Sequence, residues 1–201
     1  MENLKPHERR RQRTHQAILD ATRKLLVEKG VNGVSLRAIA REIDYSPAGL
    51  YEYFDSREDI IQAVCKEGMN RLAHTMGSVD KDQAYPMFML GIGTAYLHFA
   101  RSNPDYFMLI FTTAPYGNQL NEFMVEGSAF PILIDAIQRG IDENYFEMHP
   151  GGIQAMAMVF WSSVHGLAML EQTQLKGADL DFEQMGFVVC NNTFQGFMKA
   201  S

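Results

Sequence analysis

Tyr51 and Tyr53 stand two residues apart, just after the low-bulk run Pro47-Ala48-Gly49, in the stretch IDYSPAGLYEYFDSREDI at 43–60. Phenol hydroxyls flanking a small, flat surface suit hydrogen bonding to anionic oxygens, phosphates above all. Patterns for covalent or metal chemistry do not accompany them. GIGT at 91–94 is too short for a nucleotide fingerprint, and the chain has no P-loop. Six histidines are scattered without ligand spacing, so neither a metal nor a cofactor is expected. No Ser/His/Asp or Cys/His arrangement stands out, and the chain does not read as an enzyme.

The elements that would present the tyrosines are helical. From Thr14 to Lys29, Ile18, Ala21, Leu25 and Leu26 share a face, and Gly30 ends the helix. Ser35 caps a second helix whose Leu36, Ile39, Ala40 and Ile43 follow helical spacing. Ser46 then caps a third, barely two turns long, with Pro47 at its first position. Ser56 opens a fourth. Three short helices with a tight turn before the third make a helix-turn-helix. Its third helix turns Leu50 and Phe54 inward. Pro47, Ala48, Gly49 and Glu52 then point outward between the two tyrosines. Small residues at its start let the backbone descend into a DNA major groove, where the base pairs are distinguishable.

Net charge is −6, which argues against a nucleic-acid partner until its distribution is considered. Residues 1–53 hold ten Lys/Arg against seven Asp/Glu, a balance of +3; the remainder carries −9. A basic head on an acidic body provides the local positive face that phosphate binding needs. Cys65 and Cys190 lie far apart and read as reduced core or interface residues in a cytoplasmic protein. The apolar stretch 153–170 is interrupted by Gln154, Ser162, Ser163 and His165, which argues against a membrane span.

The run RTHQAILDATRKLLVEKGVNGVSLRAIAREIDYSPAGLYEYFDSREDIIQAV closely resembles the DNA-binding head of the TetR (tetracycline-repressor) family of bacterial regulators. That resemblance implies phosphate contacts from Ser35, Tyr51, Tyr53 and Arg57, where the family often has lysine in place of Arg57. It implies base reading by Arg37, and Tyr45, Ser46, Pro47, Ala48 and Gly49 against the groove. Glu52 either accepts from a cytosine amino group or is simply solvated. The leading HERRRQR reads as a disordered basic arm.

GSVDKDQAYP is a polar break, so domains are expected at 10–72 and 78–201. Beyond it helices are expected at about 85–102, 104–113, 119–144, 152–174 and 181–199, with Pro131 kinking the third of these. No segment alternates at period two. The expected fold is all-α, with about nine helices. Segment 152–174 is apolar nearly all round, with one stripe through Phe160, Val164 and Leu167 and another through Val159, Ser163, Gly166 and Leu170. A helix buried on two sides in a small domain touches both its own core and a partner. With Met185, Val189, Thr193, Gly196 and Phe197 of the last helix, Phe160, Val164 and Leu167 are the expected homodimer interface, with Gly186 and Gly196 permitting close approach. TetR-type regulators dimerise through such a four-helix arrangement, and symmetry then pairs two heads on a palindromic operator.

WSSVHG, Trp161 to Gly166, together with YLHFARSNPDYFMLIFT, resembles the tryptophan–histidine–glycine type of TetR carboxy-terminal domain. The resemblance implies an unknown small-molecule effector. Trp161 and His165, four apart on one face, read either as a packed Trp with a hydrogen-bonded core His or as the polar end of the effector's pocket. Candidate lining residues are Met89, Tyr96, Phe99, Tyr106, Phe107, Met108, Phe111, Phe123 and Met124, each of which also suits plain core. The expected function is a dimeric DNA-binding repressor released by a small, largely apolar effector. Two other readings stay open: a regulator without effector, or an activator; and a helical enzyme or small-molecule carrier that has lost DNA binding.

Overall fold

The computed structural model describes residues 5–113 and 128–199. Among these, eight α-helices and two short 3-10 helices carry the fold, and the sole β-type pairing is an isolated bridge between Phe146 and Met198. The helices cluster into two compact units. One comprises residues up to 68 with 108–113, the other 69–107 with 128–199, so α3 and α5 below contribute to both.

The first unit opens with α1, Pro6–Lys29, which buries Ile18, Leu19, Ala21, Thr22, Leu25 and Leu26. Its stop matches the sequence: Gly30 takes φ +65° and donates its N–H to Leu26 at 2.9 Å. Its start does not. The basic arm expected to be disordered is helical from Pro6, with Pro at the first position and the Lys5 N–H bonded to Glu8 at 2.7 Å. A 3-10 turn, Val31–Gly33, leads to α2, Leu36–Glu42, capped as expected by Ser35, whose Oγ accepts from Ala38 at 3.1 Å. Asp44 then enters the left-handed region at φ +50°, and the Tyr45 N–H bonds back to the Ala40 carbonyl at 2.8 Å. That six-residue closure is the tight turn of the motif.

The third helix is a 3-10 helix, Ala48–Glu52, where an α-helix was expected. Five residues cannot sustain an i→i−4 ladder, and Pro47 and Gly49 both weaken it. α3, Arg57–Gly77, follows, and Ser56 Oγ accepts from Asp59 at 3.1 Å, as a cap should. Ile18, Ile39, Leu50, Ile60, Ile61 and Val64 are completely buried and form the core. Each such side chain is worth roughly 1.5–3 kcal/mol of burial.

The second unit contains α4, Tyr85–Ser102; α5, Pro104–Thr112; α6, Ala129–Asp142; α7, Gly152–Gln172; and α8, Phe182–Phe197. Helix α7 packs on α4, α6 and α8. By length and composition α7 could cross a membrane, at mean hydropathy 1.4. Here Met156, Ala157, Phe160, Val164 and Ala168 turn it into the core of this unit. Pro131 lies in the first turn of α6, where a missing N–H costs nothing; the rest of the helix expected from 119 falls outside the described residues.

Tyr85 is 1% exposed and donates its hydroxyl to the Ala136 carbonyl at 3.1 Å. Gly140 makes room for it, since a Cβ there would lie 2.0 Å from that hydroxyl. Arg101 ties three helices: its Nε meets both Glu171 oxygens, at 2.8 and 3.0 Å, and its Nη2 donates to the Phe182 carbonyl at 2.6 Å.

Candidate functional site

In the first unit, buried Leu50 pins the 3-10 helix and leaves its neighbours outward. Tyr51 is 59% exposed and Tyr45 38%, and Pro47 and Ala48 are exposed between them. Ser46 Oγ accepts the Gly49 N–H at 3.0 Å, so the serine both ends the turn and stiffens the presented face. Gly49 leaves the Tyr45 ring where it is: a Cβ there would stand 2.5 Å from Tyr45 Cε1. Tyr45 and Tyr53 meet edge to face at 6.4 Å. Hydrogen bonding to Tyr53, and then lost hydration, hold the Tyr45 phenol above its ordinary pKa. Arg37 and Glu52 are exposed. Ser35 accepts a helix N–H and keeps its hydroxyl hydrogen for donation.

Arg57, expected on phosphate, is bonded within its own unit. Its Nε donates to the Val34 carbonyl at 2.8 Å, its Nη2 to the Val31 carbonyl, and its Nη1 to Glu58 at 2.8 Å. The planar fork suits two backbone carbonyls at once, which a lysine cannot match. Arg57 therefore braces the loop before α2. Sequence reasoning also missed Arg11. Its Nη2 donates to the Glu52 carbonyl at 3.2 Å, and its guanidinium lies 5.6 Å from the Tyr53 ring centroid.

In the second unit, Trp161 Nε1 lies 3.2 Å from the Tyr96 hydroxyl, which lies 2.8 Å from His165 Nδ1. Indole nitrogen only donates, so the phenol oxygen accepts there and its own proton is directed to Nδ1. That arrangement suits a neutral imidazole protonated on Nε2, and burial holds His165 below the ordinary histidine pKa. Burial also pushes the Tyr96 phenol well above its ordinary pKa. The two residues four apart in WSSVHG thus meet through a tyrosine on α4.

Met89, Phe99, Tyr106 and Phe107 are all buried, and Phe111 is half-buried. Phe107 packs on Tyr96 at 6.0 Å and on His165 at 5.7 Å. Phe123 and Met124 lie outside the described residues.

The expected interface residues divide. Phe160 and Val164 are buried within the single chain, and Phe197 stacks on Phe160 at 5.3 Å. Gly186 allows Leu97 of the same chain to approach, where a Cβ would lie 2.7 Å from its Cδ1. Leu167, Val189 and Thr193 are half-buried, whereas Met185 and Gly196 face outward. The outward apolar residues are Met158, Val159 and Leu170 on α7 and Met185, Phe187 and Val188 on α8. Both stripes of α7 have helical spacing, so period alone does not say which faces its own core.

Residues 18–64 match the family described as bacterial regulatory proteins, tetR family, and residues 89–185 match the tetracyclin repressor-like, C-terminal domain. The chain is 30% identical over 94 residues to YobS of Bacillus subtilis, an uncharacterized HTH-type transcriptional regulator, covering 47% of this chain and 49% of that one. It is 26% identical over 164 residues to Rv0681 of Mycobacterium tuberculosis, likewise an uncharacterized HTH-type transcriptional regulator, covering 80% and 71%. The chain thus spans about half the length of the first relative and most of the second. A TetR family transcription regulator from Marinobacter aquaeolei shares the fold at TM-score 0.75 and 17% identity, over 96% of this chain and 100% of that one. These relatives are regulators, not enzymes. With both its amino-terminal and its carboxy-terminal parts matched, the chain belongs to the TetR family of helix-turn-helix transcriptional regulators.

Proposed function

We propose that this regulator is a cytoplasmic homodimer that represses transcription from a palindromic operator and is released by a small, largely apolar effector. The head would comprise 10–72 and the body 78–201. The carrying observation is the exposed face of the 3-10 helix, where Pro47, Ala48 and Gly49 lie between the phenols of Tyr45 and Tyr51. In this reading Tyr51, Tyr53 and Ser35 hold phosphates, and Tyr45, Ser46, Pro47, Ala48 and Gly49 lie against the groove. Arg37 reads a base, and Arg57 acts chiefly by positioning the loop before α2.

The effector would meet the body at the Tyr96–His165–Trp161 group. It must bind the released state better than the DNA-competent one, or no equilibrium shifts. A second reading, a regulator without effector, draws support from the complete burial of Phe99 and Phe107, which suits ordinary core.

The deciding experiment is a gel shift with the DNA upstream of the protein's own gene, followed by in vitro selection with Arg37→Ala. Removing Arg37 should relax discrimination at one base pair per half-site by about 1–3 kcal/mol. Failure of the wild type to shift any such DNA overturns the regulator reading, and an unchanged selected sequence removes Arg37 from base reading. Thermal-shift screening of apolar compounds separates the two readings of the body.

A further inference from the structure

From Pro6 to Ala17, α1 contains no buried residue; burial starts at Ile18. A helix with so little packing draws little stability from tertiary structure. Its charges oppose it as well. Residues 5–13 carry Lys5, Arg9, Arg10, Arg11 and Arg13 against the single acid Glu8. Cations there crowd the positive end of the helix dipole, and Arg9 repels Arg13 one turn on. Local rules broken in this way point to a function for the segment. An anionic partner would relieve both conflicts.

The segment is also held in place. Arg11 bonds the Glu52 carbonyl and covers the Tyr53 ring, and His15 stacks on Phe54 at 4.8 Å. Its anchors are therefore the 3-10 helix and the residues just beyond it. Helical spacing turns Arg9 and Arg13 away from Arg11 and sets Arg10 on the flank. Arg10 is close enough for its charge to act on the Tyr45 hydroxyl. The stretch has no apolar face for a membrane surface, since Pro6 and Ala17 are its only apolar residues between 5 and 17. It also precedes the match to the family's DNA-binding part, which starts at residue 18.

We propose that residues 5–13 form a helical phosphate-binding arm that grips the DNA backbone beside the groove occupied by the 3-10 helix. Arg10 is the principal anchor on phosphate, Arg9 and Arg13 reach the more distant phosphates, and Arg11 is a positioning residue that fixes the arm to Glu52 and Tyr53. The proposal rests on the DNA-binding reading above and adds a binding surface to it.

The test measures binding of the full-length protein by fluorescence anisotropy across a salt series. Two probes are used: a duplex from upstream of its own gene and a random-sequence duplex. Deleting one phosphate-binding cation should reduce the slope of log affinity against log salt by about 0.9. Arg10→Ala removes one such cation from each copy of the proposed dimer and should lower the slope by about 1.8. The triple change Arg9→Ala, Arg10→Ala, Arg13→Ala, six cations per dimer, should lower it by about five, equally for both duplexes. Arg11→Ala should reduce the slope as well, with a weaker helix signal by circular dichroism. A wild type that binds while the folded triple variant keeps the same slope overturns the arm alone. A wild type that binds neither duplex overturns the DNA reading, and the arm with it.

Discussion

The Tyr96 hydroxyl is shared between Trp161 Nε1 at 3.2 Å and His165 Nδ1 at 2.8 Å, joining α4 to α7 through one buried oxygen. Burial favours the neutral imidazole, and a donor aimed at Nδ1 suits the same form. The folded-state pKa of His165 thus lies below its unfolded value of about 6.5. Between the two, the unfolded chain binds more protons, so acid favours unfolding. The contribution of neutral His165 to stability is complete above that unfolded value and declines as pH falls through and below it. In an NMR titration, Tyr96→Phe should raise the pKa of His165 towards the ordinary histidine value. An unchanged titration curve would show that the hydroxyl does not donate to the ring.

Arg57→Ala should destabilise the first unit by about 2–3 kcal/mol, because two backbone carbonyls lose a charged donor. Arg57→Lys should recover little of this, since an ammonium cannot span both carbonyls. Urea melts of the three proteins check it. A purely phosphate-binding Arg57 would leave all three melts alike.

Gly49→Ala should separate stability from binding. The added methyl reaches within 2.5 Å of Tyr45 Cε1, and that ring is exposed enough to swing away. Stability should hold or rise by up to about 1 kcal/mol, since alanine loses less chain entropy on folding. Affinity for DNA should nevertheless fall, because Tyr45 leaves the presented face. Parallel urea melts and anisotropy titrations would expose the opposite outcome, a weakened fold with unchanged affinity.

How far the chain alone discloses its structure varies with the physics involved. Ser35, Gly30 and Ser56 act through bonds to residues within four positions, and each capping role is readable from the sequence. The helical arm is not, because composition records its charges but not Arg11 reaching across to Glu52. Arg57 presents the same difficulty: its partners Val31 and Val34 lie more than twenty residues earlier. On α7 the sequence displays two apolar stripes of equal quality. Only the packing of Phe160 against Phe146 and Phe197 distinguishes inward from outward.

That distinction yields a pair of contrasting variants. Phe160→Ala should cost about 3–5 kcal/mol of folding stability, as a large core residue does. Phe187→Glu changes a residue 49% exposed in the single chain. It should leave helicity and the melting temperature of the isolated chain nearly intact while abolishing self-association, because it would bury an unpaired carboxylate between copies. Sedimentation velocity at several concentrations reads the difference. A Phe187→Glu protein that still dimerises would place the interface away from α8.

The fit of Gly140 against Tyr85 carries a consequence for how sequences of this kind can drift. A methyl at 140 would come within 2.0 Å of the phenol oxygen and 2.4 Å of the ring carbon that bears it, so removing the oxygen alone does not clear the space. Tyr85→Phe therefore opens no path to Gly140→Ala. Any lineage that gains a side chain at 140 must already have shrunk position 85 below an aromatic ring, giving up the bond to the Ala136 carbonyl as it does so. Phe146 Cδ2 would also lie 2.7 Å from that methyl, so in an alignment of relatives sharing this body positions 85, 140 and 146 should change together, and recombinants that split them should be purged.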